Sequence, residues 1–210
     1  MIIAVYNFKG GQGKSKIALN LALTMGYGII TNDEVSSHDL VLPEERIMKV
    51  TKNEPIPTNF EDNADIIYDL GGFIDDRVID VIKRANFILI PITNENDDEE
   101  NIRVSVQTID SVEPYNKNIV IIANKTELRK SGTKIIKDDY AEIKAVIEEF
   151  YQYPIFNIRK TTVLSKIAKR KQSIQDIIGE SRGIEAHAYI DVNKEFNNLI
   201  DYLSIKYNNK

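Results

Sequence analysis

The feature that most constrains the fold is a glycine-rich turn near the start of the chain. The turn reads Gly-Gly-Gln-Gly-Lys-Ser over residues 10–15, and it lies between an apolar run, Ile2–Tyr6, and a helix-like segment, Lys14–Met25. A strand, a glycine-rich turn and a helix in this order direct backbone N–H groups and the N-terminus of the helix toward one anion. The sequence therefore predicts a phosphate site at the end of the first strand.

The rest of the chain repeats this alternation of strand and helix. Short apolar, β-branched runs bounded by turn residues alternate with helical patterns, which is typical of parallel βαβ units. We therefore predict a single α/β domain over residues 1–210, with a doubly wound, mostly parallel sheet flanked by helices, and a long connection at Asn32–Asp62. The predicted strands are Ile2–Tyr6, Tyr27–Thr31, Ile66–Asp69, Phe87–Pro91, Ile119–Ala123 and Ile155–Phe156. The predicted helices are Lys14–Met25, Asp75–Arg84, Asn101–Val112, Asp138–Tyr151, Thr162–Arg170 and Val192–Ile205.

Composition excludes several classes of site. The chain has no cysteine and two histidines, which excludes disulfides, thiolate metal sites and cysteine nucleophiles. The formal net charge is −5, so contact with nucleic acid would have to come from a local basic patch. No apolar run approaches the ~20 residues that a membrane-spanning helix needs. We expect a soluble protein of the cytoplasm.

Three side chains fit the chemistry of a bound nucleoside triphosphate. In a phosphate loop of this kind Lys14 would reach the β- and γ-phosphates and the Ser15 hydroxyl would ligate Mg²⁺. Asp69 ends an apolar strand, the position from which an aspartate holds a Mg²⁺-bound water. Gly71 and Gly72 follow it and allow the large changes of φ and ψ that a loop sensing the γ-phosphate requires.

The loop departs from the common phosphate-loop pattern at two positions. That pattern has glycine where Phe8 stands, and it has no use for a lysine at position 9. With Lys-Gly-Gly-Gln-Gly-Lys-Ser over residues 9–15, the chain resembles the deviant Walker A ATPases, the ParA/MinD family of partitioning and positioning proteins. The resemblance implies ATP and Mg²⁺ as cofactors, and it implies that Lys9 reaches across a dimer interface to the phosphates held by the partner subunit. The nucleotide-binding loop residues it implies are Gly10, Gly11, Gln12, Gly13, Lys14, Ser15 and Lys16.

The resemblance extends to about Ile178 and implies further site residues. A carboxylate after the second strand would act near the attacking water, and we favour Asp33 over Glu34 because it lies nearer the strand end. Asn124 would hydrogen-bond the adenine, and the stem of Lys125 would cover the ring. The segment Pro154–Thr162 resembles the loop that closes over the base, with Ile158 and Arg159 as its contacts.

A GTPase is an alternative interpretation of the same residues. Asp69 to Gly72 satisfies Asp-x-x-Gly, and Asn124 to Glu127 nearly satisfies Asn-Lys-x-Asp. Guanine recognition relies on a carboxylate at fixed reach, and Glu127 is one methylene too long. We therefore favour ATP over GTP.

The biological use implied by the resemblance is DNA partition. Small plasmid-type ParA proteins, which lack an added N-terminal DNA-binding domain, form ATP-bound homodimers that hold non-specific DNA and associate with the nucleoid. A ParB-like centromere-binding protein then triggers slow hydrolysis. The residues of this chain that would contact DNA phosphates are Lys160, Lys166, Lys169, Arg170 and Lys171.

Two other uses of the scaffold remain open. A MinD-like protein would bind membrane through its last helix, but the apolar stripe of that helix has few lysines beside it and favours packing on the sheet. The stripe consists of Phe196, Leu199, Ile200 and Leu203. A metabolic or metal-handling enzyme is the other use, although the absence of cysteine excludes a reductase that carries an iron–sulfur cluster.

Overall fold

The computed structural model of the chain describes residues 1–61, 64–72, 74–94, 99–180 and 184–209, the side chains of 99–101, 184, 185 and 188 excepted. Its centre is a seven-stranded parallel sheet in the order β3-β2-β4-β1-β5-β6-β9. The strands of this sheet are β1 (Ile2–Tyr6), β2 (Gly28–Thr31), β3 (Ile47–Lys49), β4 (Ile66–Leu70), β5 (Phe87–Ile92), β6 (Ile119–Thr126) and β9 (Ile155–Arg159).

Helices cover both faces of the sheet and divide the core into two layers. Ile3, Val5 and Ile67 belong to one apolar layer, and Ala4, Tyr6 and Tyr68 belong to the other, because successive side chains of a strand point to opposite faces. Burial on both faces explains why the central strands are apolar throughout. The helices are α1 (Lys14–Met25), α2 (Asp76–Arg84), α3 (Glu99–Val112), α4 (Asp139–Phe150), α5 (Val163–Arg170), α6 (Ile174–Glu180) and α7 (Ile184–Asn208).

The strand order places a ligand crevice at the middle of the sheet. β1 pairs with β4 on one side and with β5 on the other, so the chain winds away from β1 in both directions. In open parallel sheets a crevice forms beyond the carboxyl ends of the strands where the winding reverses. The turn after β1 and the end of β4 lie at this crevice.

The sequence predictions omit three strands and one α-helix of the described residues, besides two short 3₁₀ turns at His38–Leu40 and Glu44–Arg46. β3 is a strand of three residues inside the long connection, and α6 adds a short helix after α5. An antiparallel hairpin, formed by β7 (Leu128–Ser131) and β8 (Lys134–Asp138), stands apart from the main sheet. We call it the basic hairpin. Its side chains are mostly exposed, so it lacks the apolar alternation by which a strand packed on a core is recognised.

The last helix packs on the sheet, as its apolar stripe predicts. Phe196, Leu199 and Leu203 are buried in the core, and Ile200 packs against it. The ring of Tyr202 lies 5.2 Å from that of Phe156 in β9. Among the described residues, no helix is both long and apolar enough to cross a bilayer.

Candidate nucleotide site

The glycine-rich turn wraps around the N-terminus of α1. Gly11 and Gly13 have φ values of 79° and 83°, in the left-handed region where residues with a Cβ are strained. Gly13 is the residue before the first helical position, and its carbonyl accepts the first helical bond, from the Ile17 amide at 3.1 Å. The turn thus has the backbone shape that leaves several N–H groups available to an anion.

Two buried amides hold the turn from below. Asn7 Nδ2 donates to the Pro91 carbonyl at 2.8 Å and to Ser105 Oγ at 2.9 Å, and Asn7 Oδ1 accepts from the Lys9 amide at 2.9 Å. Gln12 Oε1 accepts from the Thr93 amide at 2.8 Å. The loop is therefore fixed to the end of β5 and to α3 by interactions that exclude water.

The end of β6 supports the same loop. Asn124 Nδ2 donates to the Gln12 carbonyl at 2.7 Å, and Lys125 Nζ donates to the Gly11 carbonyl at 2.9 Å. A Cβ on Gly13 would lie 2.4 Å from Asn124 Nδ2, a distance that no real Cβ contact tolerates. Glycine is required at position 13 for two reasons: its φ is positive, and the side chain of Asn124 leaves no room for a Cβ.

A lysine and a buried carboxylate face each other across the cleft. Burial lowers the pKa of Lys14, while the negative charges of Asp69 and Asp33 act in the opposite direction. Lys14 Nζ donates to the Lys9 carbonyl at 3.1 Å, which curls the side chain back over the loop. Asp69 Oδ2 lies 2.8 Å from His38 Nε2, and each of these side chains is 3% exposed.

The ends of β2 and β4 are joined beside this carboxylate. Asn32 Nδ2 donates to the Gly71 carbonyl at 3.0 Å, and the Gly71 amide donates to Asn32 Oδ1 at 2.8 Å. Asp33 is exposed and accepts from the Val35 amide at 3.1 Å, whereas Glu34 accepts from the Lys52 amide. Asp33 therefore borders the cleft, and Glu34 contacts the later part of the connection.

These groups enclose a cleft of about 690 Å³ at the carboxyl edge of the sheet. The loop forms one wall, and the ends of β2 and β4 form the other. The lining residues are Phe8, Gly10, Gly11, Gly13, Lys14, Ser15, Lys16, Asn32, Asp33, Asp69, Gly71, Gly72 and Lys125.

The fold has known counterparts among solved structures, although no protein-family model and no curated protein matches the sequence. A variant of Cyanothece McdA in complex with ATP is 16% identical over 97% of this chain and 96% of that chain, with a TM-score of 0.67. This chain has the ParA/MinD ATPase fold. Two further structures agree: Aquifex aeolicus MinD in its complex with MinC (15% identity, 94% and 96% covered, TM-score 0.57) and a ParA family ATPase from Chlorobium tepidum (17%, 93% and 98%, 0.56).

Within this ParA/MinD fold most of the predicted site residues meet at one place. Gly10, Gly11, Gly13, Lys14, Ser15, Lys16, Asp33, Asp69 and Lys125 line the cleft. Gln12 and Asn124 lie beneath the loop as its supports. The side chain of Lys9 is half-buried and is not among the residues that line the cleft of its own subunit.

Two residues implied as base contacts lie elsewhere. Ile158 is fully buried in the apolar layer that contains α1 and α7. Arg159 Nε donates to Glu195 Oε1 at 2.8 Å, and its Nη1 donates to Asp191 Oδ2 at 2.7 Å, so its guanidinium is held by α7. Neither residue lines the cleft around the phosphate loop.

The residues predicted to contact DNA are exposed on and around α5. Lys166, Lys169 and Arg170 project from that helix, and Lys171 ends it in the left-handed conformation with φ 57°. Lys16 Nζ donates to Ser165 Oγ at 3.3 Å, which places α5 beside the start of α1. The ammonium group of Lys160 pairs with Glu127, and that of Lys166 lies 5.5 Å from the centre of the Tyr189 ring.

The sequence interpretation missed three polar residues of the site: Asn7, Asn32 and His38. Asn7 and Asn32 directly follow β1 and β2, so a search for amides after each parallel strand would have found them. His38 lies in a short 3₁₀ turn, His38–Leu40, within an irregular connection. No periodic pattern links it to Asp69, which lies 31 residues further along.

The oxygen ligands of the cleft suit a magnesium-bound triphosphate. The Ser15 hydroxyl and the Asp69 carboxylate are hard oxygen donors of the type that Mg²⁺ prefers. A Cβ on Gly10 or Gly11 would meet nothing within 4 Å, so there is open space beside the backbone of these two residues at the cleft. Ser15 and Asp69, the latter through a water, would hold the ion, which neutralises charge on the phosphates.

Proposed function

We propose that the protein is an ATP-dependent dimerising ATPase of the ParA type. The observation that carries the proposal is the position of Lys14, a partly desolvated cation that shares its cleft with Asp69 and with the glycines of the turn. Burial disfavours the charged ammonium group more than Asp69 and Asp33 favour it, and the phosphates of a nucleotide would supply the additional negative charge. The lysine is therefore ready for a polyanion.

The chemistry would be the in-line attack of water on the γ-phosphate. Lys14 and the loop N–H groups would stabilise charge on the transferred group, and Asp33 borders the space where the attacking water would lie. Lys9 would act on the nucleotide of the partner subunit. Its position outside the lining of its own cleft supports that role, and its carbonyl serves its own site by accepting from Lys14.

The dimerisation step is tested with a non-hydrolysable ATP analogue and sedimentation velocity. Lys9→Ala should abolish analogue-driven dimerisation while leaving nucleotide affinity of the monomer unchanged. Lys117→Ala, at an exposed site near the opposite edge of the sheet, is the matched control and should dimerise like the wild type. A wild-type protein that stays monomeric when saturated with the analogue would refute the proposal.

For biological use we favour DNA partition with a ParB-like partner that stimulates hydrolysis. Four exposed cations on and after α5 support it: Lys166, Lys169, Arg170 and Lys171. Exposed lysines and arginines that contact phosphates give affinity that is independent of sequence and falls with salt. The role of ATP would be to bring two such surfaces together in one dimer.

A second candidate function is attachment to an anionic membrane, as in the MinD-like alternative. The observation that favours it is the basic hairpin, in which Leu128, Ile135 and Ile136 are 57%, 53% and 64% exposed. The same hairpin carries four cations, Arg129, Lys130, Lys134 and Lys137. Apolar side chains flanked by lysine and arginine bind the headgroup region of anionic bilayers.

One experiment separates the two uses. The protein with ATP is sedimented with non-specific double-stranded DNA or with phosphatidylglycerol vesicles, at low and at high salt. We expect retention on DNA at low salt that disappears at high salt. Retention on vesicles alone would favour the membrane, and the absence of DNA retention at low salt would refute partition.

Matched double variants then locate the surface. Lys166→Ala with Lys169→Ala should lower the slope of log affinity against log salt by about 0.9 for each DNA phosphate that the variant no longer neutralises. Lys130→Ala with Lys134→Ala tests the basic hairpin through the same measurement, the change of affinity with salt. Lys83→Ala with Lys117→Ala changes the same charge near the opposite edge of the sheet and should have no effect.

A further inference from the structure

The strongest unassigned contact in the molecule is the one between His38 and Asp69. His38 Nε2 and Asp69 Oδ2 are 2.8 Å apart, and both side chains are almost completely buried. The two residues come from different segments. Asp69 lies in β4, near the carboxyl end of that strand, and His38 lies in the connection between β2 and β3. A contact of this kind needs a reason, because burying a carboxylate costs free energy unless its oxygens are hydrogen-bonded.

The direction of the hydrogen bond depends on the tautomer of His38. An ionised Asp69 carboxylate would accept it, from the tautomer that carries the hydrogen on Nε2. A hydrogen bond to Oδ2 fixes the plane of the carboxylate. It leaves Oδ1 to accept a hydrogen bond from a water bound to the metal. Asp69 lines the cleft, where that second oxygen would be used.

The backbone of His38 is held in a well-bonded turn. The His38 carbonyl accepts from the Val41 amide at 3.0 Å and from the Leu42 amide at 2.8 Å, and the side chains of Val41 and Leu42 are buried in the core. Lys49 of β3 contacts the same turn: its Nζ donates to the Ser36 carbonyl at 2.7 Å and lies 3.0 Å from Asp39 Oδ1. The turn therefore presents the buried His38 ring to the carboxylate from a fixed backbone position.

We propose that His38 is a positioning residue for the magnesium ion of this site. By binding Oδ2 it sets the orientation in which Asp69 Oδ1 holds the metal-bound water. It also ties that carboxylate to the connection that carries Asp33, whose carbonyl accepts from the Ser36 amide at 3.0 Å. The inference rests on the proposed function, because it concerns the metal of the same nucleotide site.

The test separates metal binding from nucleotide binding. Affinity for mant-ATP, a fluorescent ATP analogue, is measured first in EDTA, and Mg²⁺ is then titrated onto the preformed complex. Hydrogen-bond partners of metal ligands typically contribute 10- to 100-fold in metal affinity. Because Asp69 holds the ion through a water, His38 lies one contact further out and should act at the low end of that range. We therefore expect His38→Leu to raise the Mg²⁺ concentration at half-saturation by about 10-fold, with mant-ATP affinity in EDTA unchanged.

Two conservative variants distinguish positioning from mere packing. His38→Gln places an N–H donor near the position of Nε2 and should restore Mg²⁺ affinity to within about threefold of the wild type. His38→Asn is polar but too short to reach Oδ2, and it should behave like His38→Leu. Leu40→Ala, at a 66% exposed site in the same turn, is the control and should bind Mg²⁺ as the wild type does.

The outcomes are decisive in each direction. Unchanged Mg²⁺ affinity in both His38→Leu and His38→Asn overturns the proposal, as does an equal loss in the glutamine and asparagine variants. If circular dichroism shows that His38→Leu does not fold, the difference in Mg²⁺ affinity between His38→Gln and His38→Asn still tests the proposal. A wild-type protein that shows no Mg²⁺ effect on mant-ATP would instead refute the proposed function.

Discussion

The cleft edge and the basic surface of this protein are built in opposite ways. At the cleft, polar side chains are buried and hold one another: Asn7, Gln12, Asn124 and the His38–Asp69 pair. On the surface formed by α5 and the basic hairpin, which we call the basic surface, the cations are exposed except Lys137, which pairs with Asp139. Buried polar networks fix a geometry, whereas exposed charges contribute little to stability and act mainly on partners. Substitutions should therefore change stability or nucleotide binding at the cleft, and only the binding of polyanions at the basic surface.

The largest effect is expected for Lys14→Ala. Removing one partner of a desolvated charge pair costs ~3 kcal/mol or more, so ATP affinity should fall about 100-fold or more. The melting temperature of the nucleotide-free protein should not fall, because burial lowers the pKa of Lys14 and so disfavours its charged form. Calorimetric titration and thermal unfolding check both parts, with Lys117→Ala as control. If Lys14→Ala and Lys117→Ala bound ATP with equal affinity, Lys14 would not be part of the nucleotide site.

A pair of glycine substitutions separates backbone strain from a steric contact. Gly13 and Gly26 have φ values of 83° and 78°, so alanine should cost about 1–2 kcal/mol of strain at either position. Around Gly26 a Cβ would meet nothing within 4 Å, whereas at Gly13 it would collide with Asn124.

We expect Gly26→Ala to reduce the free energy of unfolding and to leave ATP affinity unchanged. Gly13→Ala should reduce the free energy of unfolding further and weaken ATP binding by about 10-fold, because ~1.4 kcal/mol of distortion corresponds to that factor. Urea unfolding and nucleotide titration measure the two quantities. If the two variants lost the same free energy of unfolding and bound ATP equally well, the contact between position 13 and Asn124 would have no effect on either quantity.

Alkaline pH should weaken the core behind the cleft. Burial raises the pKa of Tyr68 and of Tyr27 to about 12, from an ordinary value of 10. Between pH 10 and 12 these phenols lose protons in the unfolded chain before they do so in the folded protein, so stability is complete below pH 10 and falls toward pH 12. The decline should approach ~1 kcal/mol per pH unit for a buried tyrosine. Urea unfolding over this range should give a flatter profile for Tyr68→Phe; an unchanged slope would contradict the assignment.

The smallest effect is expected at Arg159, which ends β9 and contacts α7. Its ion pairs with Asp191 and Glu195 are partly exposed, so Arg159→Ala should cost ~1 kcal/mol or less. ATP affinity should not change if the guanidinium serves to hold α7. A tenfold loss of ATP affinity would instead support the base contact that the family resemblance implies.

Sequence patterns predicted the elements that depend on residues close together in the chain. The apolar strands, the glycine turn and its lysine follow from spacing and residue type, and the structure confirms the parallel sheet and the fold. The positions of Asp69 and Asn124 follow from the rule that polar residues after parallel strands share one edge. Their expected roles in metal and base binding remain predictions.

What the sequence did not predict depends on contacts between distant segments. His38 meets Asp69 because the irregular connection after β2 passes beside β4, and within that connection β3 is only three residues long, too short to recognise. Ile158 was expected at the base, but β9 extends to Arg159, and strand alternation turns the Ile158 side chain into the core. The basic hairpin has almost no buried face, so nothing in its pattern indicated paired strands.

The anchoring of Asn7 has a mechanical consequence. Through Ser105, and through Thr108, whose Oγ1 accepts from the Phe8 amide at 3.2 Å, helix α3 is coupled directly to the first turn of the phosphate loop. Because these two contacts join α3 to the loop, a displacement of this helix would shift the loop even with nothing entering the cleft.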